Sequence, residues 1–494
     1  MSKKDKIKMN IADYELNTRK LNAMYPRNEL KSRIVHLGFG AFHRAHQALI
    51  THEMLAQNGG DWGICEVNLF GGEELIRSLR EQDHLYTVLE TGAESAQPKV
   101  IGSVVESLHP TFDGISAILE KMAEPQVAIV SMTITEKGYC ADPATGQFNP
   151  QNPLIQHDLQ HPDAPTSAIG CIVASLRLRK ERGLPPFTVM SCDNVQENGH
   201  VARQSILGFA ELLDGELASW IREQVTFPCT MVDRIVPAAT PETLAEIEQA
   251  IGVYDPCGIA CEPFRQWVIE DNFVNGRPGW DLVGAEFVSN VVPFEEMKLR
   301  MLNGSHSFLA YLAYLGGYAH IADTMTNPAY RQAALNLMLN EQAPTLNMPV
   351  GTDLDGYAQQ LIARFTNPSL KHQTWQIAMD GSQKLPQRMV DSVLFHLKNG
   401  SDYRHLALGI AGWMRYVSGE GENGEVIDVR DPLLSRFQAI YAEHGLSCNV
   451  VKPLLAIEAI FGPELPQQGA FVDAVTQAYQ GLLDHGARHC VAAI

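Results

Sequence analysis

The sequence predicts an α/β chain in two parts. A Rossmann-type, doubly wound N-terminal domain with insertions spans 1–290, and a mostly α-helical C-terminal domain spans 291–494. Three observations lead there. In the first part, short runs dense in apolar and β-branched residues alternate with amphipathic stretches, as buried parallel strands and their crossover helices do. The first of these runs ends in a glycine turn. From about Pro293 the periodicity becomes helical, with Pro, Gly and Asn in the connectors.

The strands read in order as RIVHLGF, WGICEVNL, QVAIVSMT and FTVMSCD, with helical patterns such as HQALITHEMLAQ and GISAILEKMAE between them. Tyr139 to Ala168 is rich in turn formers and reads as a long irregular insertion, a kind of segment that is often functional. The helical part includes PFEEMKLRMLNGSHSFLAYLAYLGGY, PAYRQAALNLMLNEQAP, DGYAQQLIARFTN, LPQRMVDSVLFHLKNG and FVDAVTQAYQGLLDHGAR.

Composition excludes several classes. A net charge of -19 argues against a nucleic-acid or anionic-membrane partner, and an anionic substrate would need local cations. The N-terminal MSKKDKIKMNIADYELN has no apolar core for a signal peptide. The apolar run Phe308 to Ala319 is shorter than the roughly 20 residues a membrane span takes. Nine cysteines without a C-x-x-C pair suggest reduced thiols and a cytoplasmic protein. H-E-x-x-H is absent, and no metal is expected.

In IVHLGFGAFHRAH, Gly38 and Gly40 occupy the first two positions of G-x-G-x-x-G, and His43 stands at the third. Glycine permits the sharp turn and close approach of a pyrophosphate, and the helix start, at Ala41 and Phe42, offers free N–H groups. A tight β-to-α turn without a ligand is the plain alternative. The acid for the adenosine ribose is Glu66, inside the second strand, or Glu73 or Glu74 just after it; Glu73 is the candidate carried forward. A carboxylate there favours NAD over NADP.

In EEMKLRMLNGSH, α-helical geometry puts Asn303 about 140° and His306 about 80° from Lys298, so the three can share a broad face. A lysine with two neutral hydrogen-bonding groups can take a proton from an alcohol and stabilise the alkoxide while hydride leaves. As a base, Lys298 would need burial to lower its pKa from about 10.4. The alternative is a solvated lysine on a surface helix interrupted at Asn303-Gly304. After the strand FTVMS, Asp193 and Asn194 sit where parallel strands face a ligand crevice, Asp193 as a helix N-cap and Asn194 toward the substrate. No tyrosine has a lysine four residues later, and no zinc-dehydrogenase cysteine pattern is present, which leaves a lysine-based, metal-free hydride transfer.

GFGAFHRAHQ, TITEKGY, SCDN, VDRIVP and KLRMLNGSH together resemble the polyol-specific long-chain dehydrogenase family, which includes mannitol dehydrogenase. CEPFRQWVIEDNFVNGRP, TWQIAMDGSQKLPQR and HLALGIAGWMRYV extend the resemblance over nearly the whole chain. It implies metal-independent hydride transfer with NAD. It implies that Lys298 is the general base, that Asn194 and Asn303 stabilise the oxyanion, that His306 contacts a substrate hydroxyl and that Glu295 helps move the proton to solvent. Gly38 and Gly40 match the pyrophosphate turn, and Lys384 matches a substrate-pocket lysine. Eight residues before Lys384, where mannitol-type members are expected to carry arginine, stands Gln376.

Within the family the resemblance is to members that interconvert D-mannonate and D-fructuronate in hexuronate catabolism. Another polyol or aldonate (mannitol, arabinitol, altronate) and a non-catalytic NAD-binding relative are the alternatives. A sugar acid needs a cation for its carboxylate. Lys137 in TITEKGY is the candidate, followed by Arg265 and Arg234, each with a structural ion pair as its alternative role. The expected partner is a small sugar acid, in a monomer or weak homo-oligomer.

Overall fold

The computed structural model describes residues 25–142 and 145–494. The N-terminal stretch read above for a signal peptide lies outside the described residues. The chain divides into two compact units, Met1–Val292 and Pro293–Ile494.

The first unit is built on a five-stranded parallel sheet. Its strands are β1 (Lys31–Leu37), β2 (Trp62–Val67), β5 (Val104–Leu108), β6 (Ile129–Met132) and β7 (Thr188–Ser191). Between β2 and β5 lies the antiparallel pair β3 (Tyr86–Thr91) and β4 (Ala96–Ile101). The sheet order β5-β2-β1-β6-β7 reverses direction between β1 and β6. That reversal is a topological switch point, where a crevice opens beyond the carboxyl ends of the strands. Ile34, Val35 and Leu37 of β1 are buried because helices cover both faces of a parallel sheet.

Two smaller sheets complete the unit. β8 (Thr230–Asp233) and β11 (Glu286–Val288) flank β10 (Gln266–Glu270), and β9 (Ile259–Cys261) joins β3 in parallel. The described part of the insertion over 139–168 is more ordered than its composition suggests. Helix Pro153–Gln160 starts at Asn152, whose side chain accepts from Leu154 N–H. The buried Asp158 carboxylate accepts from the Thr166 and Ser167 backbone N–H groups at 2.8 and 2.9 Å, which ties the loop end down.

The second unit is helical. Gly304–Leu315, which takes in the apolar run from Phe308 as far as Leu315, is buried nearly all round and packs against Arg404–Tyr416 as the core helix. No helix among the described residues is long and apolar enough to cross a membrane. Three π-helical turns interrupt the α-helices, at Lys298–Asn303, Leu337–Gln342 and Pro386–Val390. All nine cysteines are unpaired thiols.

Candidate active site

The first unit places Gly38 at the end of β1 with φ +108°. A Cβ there would stand 2.1 Å from Thr133 O, so the fold itself demands this glycine. Gly40 differs: a Cβ on it would meet nothing within 4 Å. Glycine at that position leaves room for something that is not protein. Helix Ala41–Ala45 then starts without a side-chain cap, so the N–H groups of Ala41 and Phe42 face outward as unsatisfied first-turn donors. The helix is only five residues long, breaks at His46 and resumes as Gln47–Asn58.

His43, in place of a third glycine, is buried. Its ring stacks on His36 of β1 with centroids 3.4 Å apart and planes 8° from parallel, and its Nε2 lies 2.5 Å from Glu66 Oε1 of β2. Burial lowers the His43 pKa to about 3 and raises the Glu66 pKa to about 8, so the pair shares one proton held by the carboxyl. Glu66 therefore faces into the sheet and is not available to a ribose. His36, His43 and Glu66 have ligand atoms within 4.8 Å of one another. Stacked imidazoles direct their in-plane lone pairs side by side, not toward one point. Both His36 nitrogens already bond hydroxyls, of Ser131 at 2.6 Å and Thr133 at 2.9 Å. The cluster is a proton-sharing stack, not a cation cage.

Above the turn is a cavity of about 410 Å³, lined among others by Gly38, Asn68, Phe70, Thr133, Thr135 and Lys137. It sits at the carboxyl ends of β1, β2 and β6, the switch point. Asn68 Oδ1 accepts from Phe39 N–H at 2.7 Å and so shapes the glycine turn. Phe70 is 64% exposed at this cavity and offers a flat apolar face on which an adenine can stack. Glu73 opens helix Glu73–Glu81, with its carboxylate 3.7 Å from His109 Nε2, and is not among the residues lining the cavity. The open space at Gly40, the uncapped helix start and the cavity fit a dinucleotide.

Asp193 does not cap the following helix as expected. Its carboxylate accepts from Ile134 and Thr135 N–H, both at 3.0 Å, and from Tyr139 O–H at 2.5 Å, which fixes the loop after β6. Helix Asn198–Leu213 starts instead from Glu197, in the left-handed region and without a side-chain cap. Asn194 is exposed beyond the end of β7. Lys137 is exposed and lines the cavity.

The two arginine candidates for a substrate carboxylate are occupied within the fold, and this corrects the expectation for them. Arg265 pairs with Glu53 and donates to Val283 O at 2.9 Å. Arg234 is buried and donates to Glu262 O at 2.8 Å and Ala45 O at 2.7 Å. Both hold strands and loops together.

In the second unit, Glu295 lies in helix Val292–Met297, one turn before Lys298. Lys298 opens the π turn and Asn303 closes it, with Gly304 N–H bonded to Leu299 O. A π turn closes i→i+5 bonds, so residues five apart fall nearly in line. The 140° separation expected for an α-helix is thus largely removed, and Lys298 and Asn303 come onto one face. The helix is also not interrupted at Gly304, which keeps α-helical angles of φ −63° and ψ −49°. A Cβ there would meet Gln342 Nε2 at 2.7 Å and Arg388 O at 3.0 Å, so this glycine lets the three π turns close together.

His306 stacks on Phe365 at 5.5 Å, and its buried Nε2 has no hydrogen-bond partner. Burial, and then His372, Arg388, Arg364 and Lys384, hold its pKa well below the usual imidazole value, so the ring is neutral. Lys384 donates to Ile377 O at 3.0 Å. Burial, then the Arg388 charge, lowers its pKa to about 8. Arg388 donates from one terminal nitrogen to Ser307 Oγ at 3.0 Å and Asn303 O at 3.4 Å. The second unit thus brings Asn303, His306 and Lys384 together and adds Arg388. Sequence reasoning missed Arg388, although DGSQKLPQR puts it four residues after Lys384, on the same helical face. It also missed Asn68 and Phe70, whose signal was their place directly after β2.

Comparison with known proteins accounts for both units. The family model described as the mannitol dehydrogenase Rossmann domain matches residues 32–282, and the one described as the mannitol dehydrogenase C-terminal domain matches 290–483. A D-mannonate oxidoreductase of Escherichia coli K12 is 66% identical over 95% of this chain and 97% of its own length. The solved mannitol 2-dehydrogenase of Pseudomonas fluorescens, in a ternary complex with NAD and D-mannitol, is 37% identical with TM-score 0.77 and 99% of each chain covered. A solved D-sorbitol dehydrogenase, in substrate-free form, is 32% identical with TM-score 0.88, covering 94% of this chain and 96% of that one.

Proposed function

Since the chain belongs to the mannitol dehydrogenase family of oxidoreductases acting on CH–OH groups, we propose that it interconverts D-mannonate and D-fructuronate with NAD, without a metal. The observation that carries the substrate is the 66% identity to a D-mannonate oxidoreductase over nearly both full lengths. Gln376, where a mannitol-type member is expected to carry arginine, and the cations around His306 support an acid over a simple polyol.

NAD supplies the hydride acceptor or donor when bound. Gly38, Gly40, Ala41 and Phe42 would hold its pyrophosphate, and Glu73, though outside the cavity lining, is the acid the sequence offers for the ribose end. Lys298 moves the proton at the reacting oxygen, taking it from the hydroxyl in oxidation and returning it to the carbonyl in reduction. Asn303, on the same face of the π turn, donates N–H to that oxygen as negative charge develops on it, the role that the family resemblance also implies for Asn194. The neutral His306 holds a substrate hydroxyl, and Lys384 contacts the substrate. Glu295 passes the proton of Lys298 outward.

The test follows NADH absorbance with D-fructuronate, D-tagaturonate, D-fructose and D-xylulose. The value of kcat/KM should be highest with D-fructuronate. A preference for a neutral ketose would replace it with a polyol dehydrogenase.

A further inference from the structure

The cations beside His306 raise a question of charge balance. In a chain with net charge -19, acids to neutralise a partly buried base are abundant. Yet, among the described residues, the side-chain hydrogen bonds of Lys384 and Arg388 all go to neutral oxygens: Ile377 O, Ser307 Oγ and Asn303 O. The acids nearest in charge are engaged elsewhere or oppose the cations from a distance. Asp431 accepts from Ser382 N–H at 2.9 Å and Ser382 O–H at 2.6 Å. The Asp380 carboxylate acts on the Lys384 ammonium only through its field. Burying a cation without a counter-charge is costly, so a pair kept this way implies an anion that arrives from outside.

The geometry of Arg388 says what kind of anion. One terminal nitrogen anchors the guanidinium to Asn303, at the end of the π turn, and to Ser307, next to His306 in the helix that follows. Its Nε and other terminal nitrogen have no partner among the described residues. That edge is the planar fork that takes a carboxylate through two parallel N–H···O bonds. Next to it, His306 Nε2 is buried without a partner, and Lys384 has two further N–H donors beyond the bond to Ile377 O. One unsatisfied fork, one ammonium and one imidazole converge from a single pair of packed helical turns.

We propose that Arg388, with Lys384 beside it, binds the carboxylate of the substrate and so sets the preference for sugar acids over neutral polyols. This rests on the sugar-acid reading above and names the group that enforces it. The pairing leaves Lys298, Asn303 and His306 to the hydroxyl-bearing part of the chain.

The experiment is steady-state NADH oxidation by wild type, Arg388→Gln and Arg388→Lys with D-fructuronate and D-fructose. The ratio of kcat/KM for fructuronate over fructose should fall at least about 30-fold in Arg388→Gln, through KM for the acid, with kcat within a few-fold of wild type. Arg388→Lys keeps the charge without the fork and should fall between. If Arg388→Gln does not fold, as judged by NADH binding, Arg388→Lys carries the same test on the ratio. A wild type that prefers fructuronate while the ratio is unchanged in the variants overturns the carboxylate site alone. A wild type that reduces fructose but no keto acid overturns the sugar-acid reading and the site with it.

Discussion

His43 Nε2 lies 2.5 Å from Glu66 Oε1, and both side chains are buried beneath the glycine turn. The residue that breaks the dinucleotide fingerprint is therefore the one that locks the turn to the second strand. It stacks on His36 of β1 and bonds Glu66 of β2, doing by polar contact what a third glycine does by close packing.

This pair predicts how stability changes with pH. In the folded chain it holds one proton from about pH 3 to about pH 8. Unfolded, with ordinary values of 6.5 and 4.5, it also holds one between pH 4.5 and 6.5 but none above. The raised Glu66 pKa thus contributes stability that is lost as pH rises, and the loss falls between 6.5 and 8. It should reach on the order of 2 kcal/mol. Below pH 4.5 the unfolded chain takes up a second proton, and stability falls again. Denaturant titrations at pH 6.5 and 8 should show the upper fall in wild type and a smaller one in Glu66→Gln.

The same stack predicts the response to chelators. Parallel imidazoles whose partners are hydroxyls and a protonated carboxyl are poor metal ligands. NADH-dependent turnover should survive exhaustive dialysis against EDTA, and added zinc should not raise it. Loss of activity that zinc restores would contradict the metal-free reading.

Gly304→Ala tests the packing of the π turns. The added Cβ would press on Gln342 Nε2 and on the Arg388 carbonyl, which Gln342 bonds at 2.8 Å. Overpacking of this kind costs roughly 1–3 kcal/mol. Thermal unfolding should shift down accordingly, and the KM for the acid substrate should rise because the turn that bears Arg388 is displaced.

Lys384 gives a pH dependence of selectivity. Burial and Arg388 lower its pKa from 10.5 to about 8, against the opposing fields of Asp380 and Asp431. It is a cation below pH 8 and neutral above. The fructuronate-over-fructose ratio should fall as pH rises from 7 to 9, and Lys384→Met should flatten that profile. The use of a ratio cancels titrations common to both substrates.

Much of this was legible in the sequence, and the gaps have physical causes. β1, β2, β6 and β7 are dense enough in apolar residues to be read directly, whereas β9 and β11 have three residues each and no period to detect. Glu66 could be placed inside its strand from the pattern, but its partner His43 lies 23 residues earlier and only the folded sheet brings them together. Asp193 has the chemistry of a helix cap, yet it serves a loop 58 residues away. Arg265 looked available because its acid, Glu53, is 212 residues distant. The π turn escaped notice because α- and π-helices draw on the same residues, and a single extra residue per turn leaves no compositional mark. That one residue narrows the angle between Lys298 and Asn303 from the roughly 140° of an α-helix.

Lys298, at the head of the π turn, is the residue proposed to move the proton of hydride transfer. Lys298→Ala, assayed by NADH binding and by turnover of D-fructuronate at saturating substrate, tests it most directly. NADH affinity should stay within a few-fold of wild type, and kcat should fall by roughly 10²–10⁴-fold. A variant that binds NADH and retains wild-type kcat would contradict it.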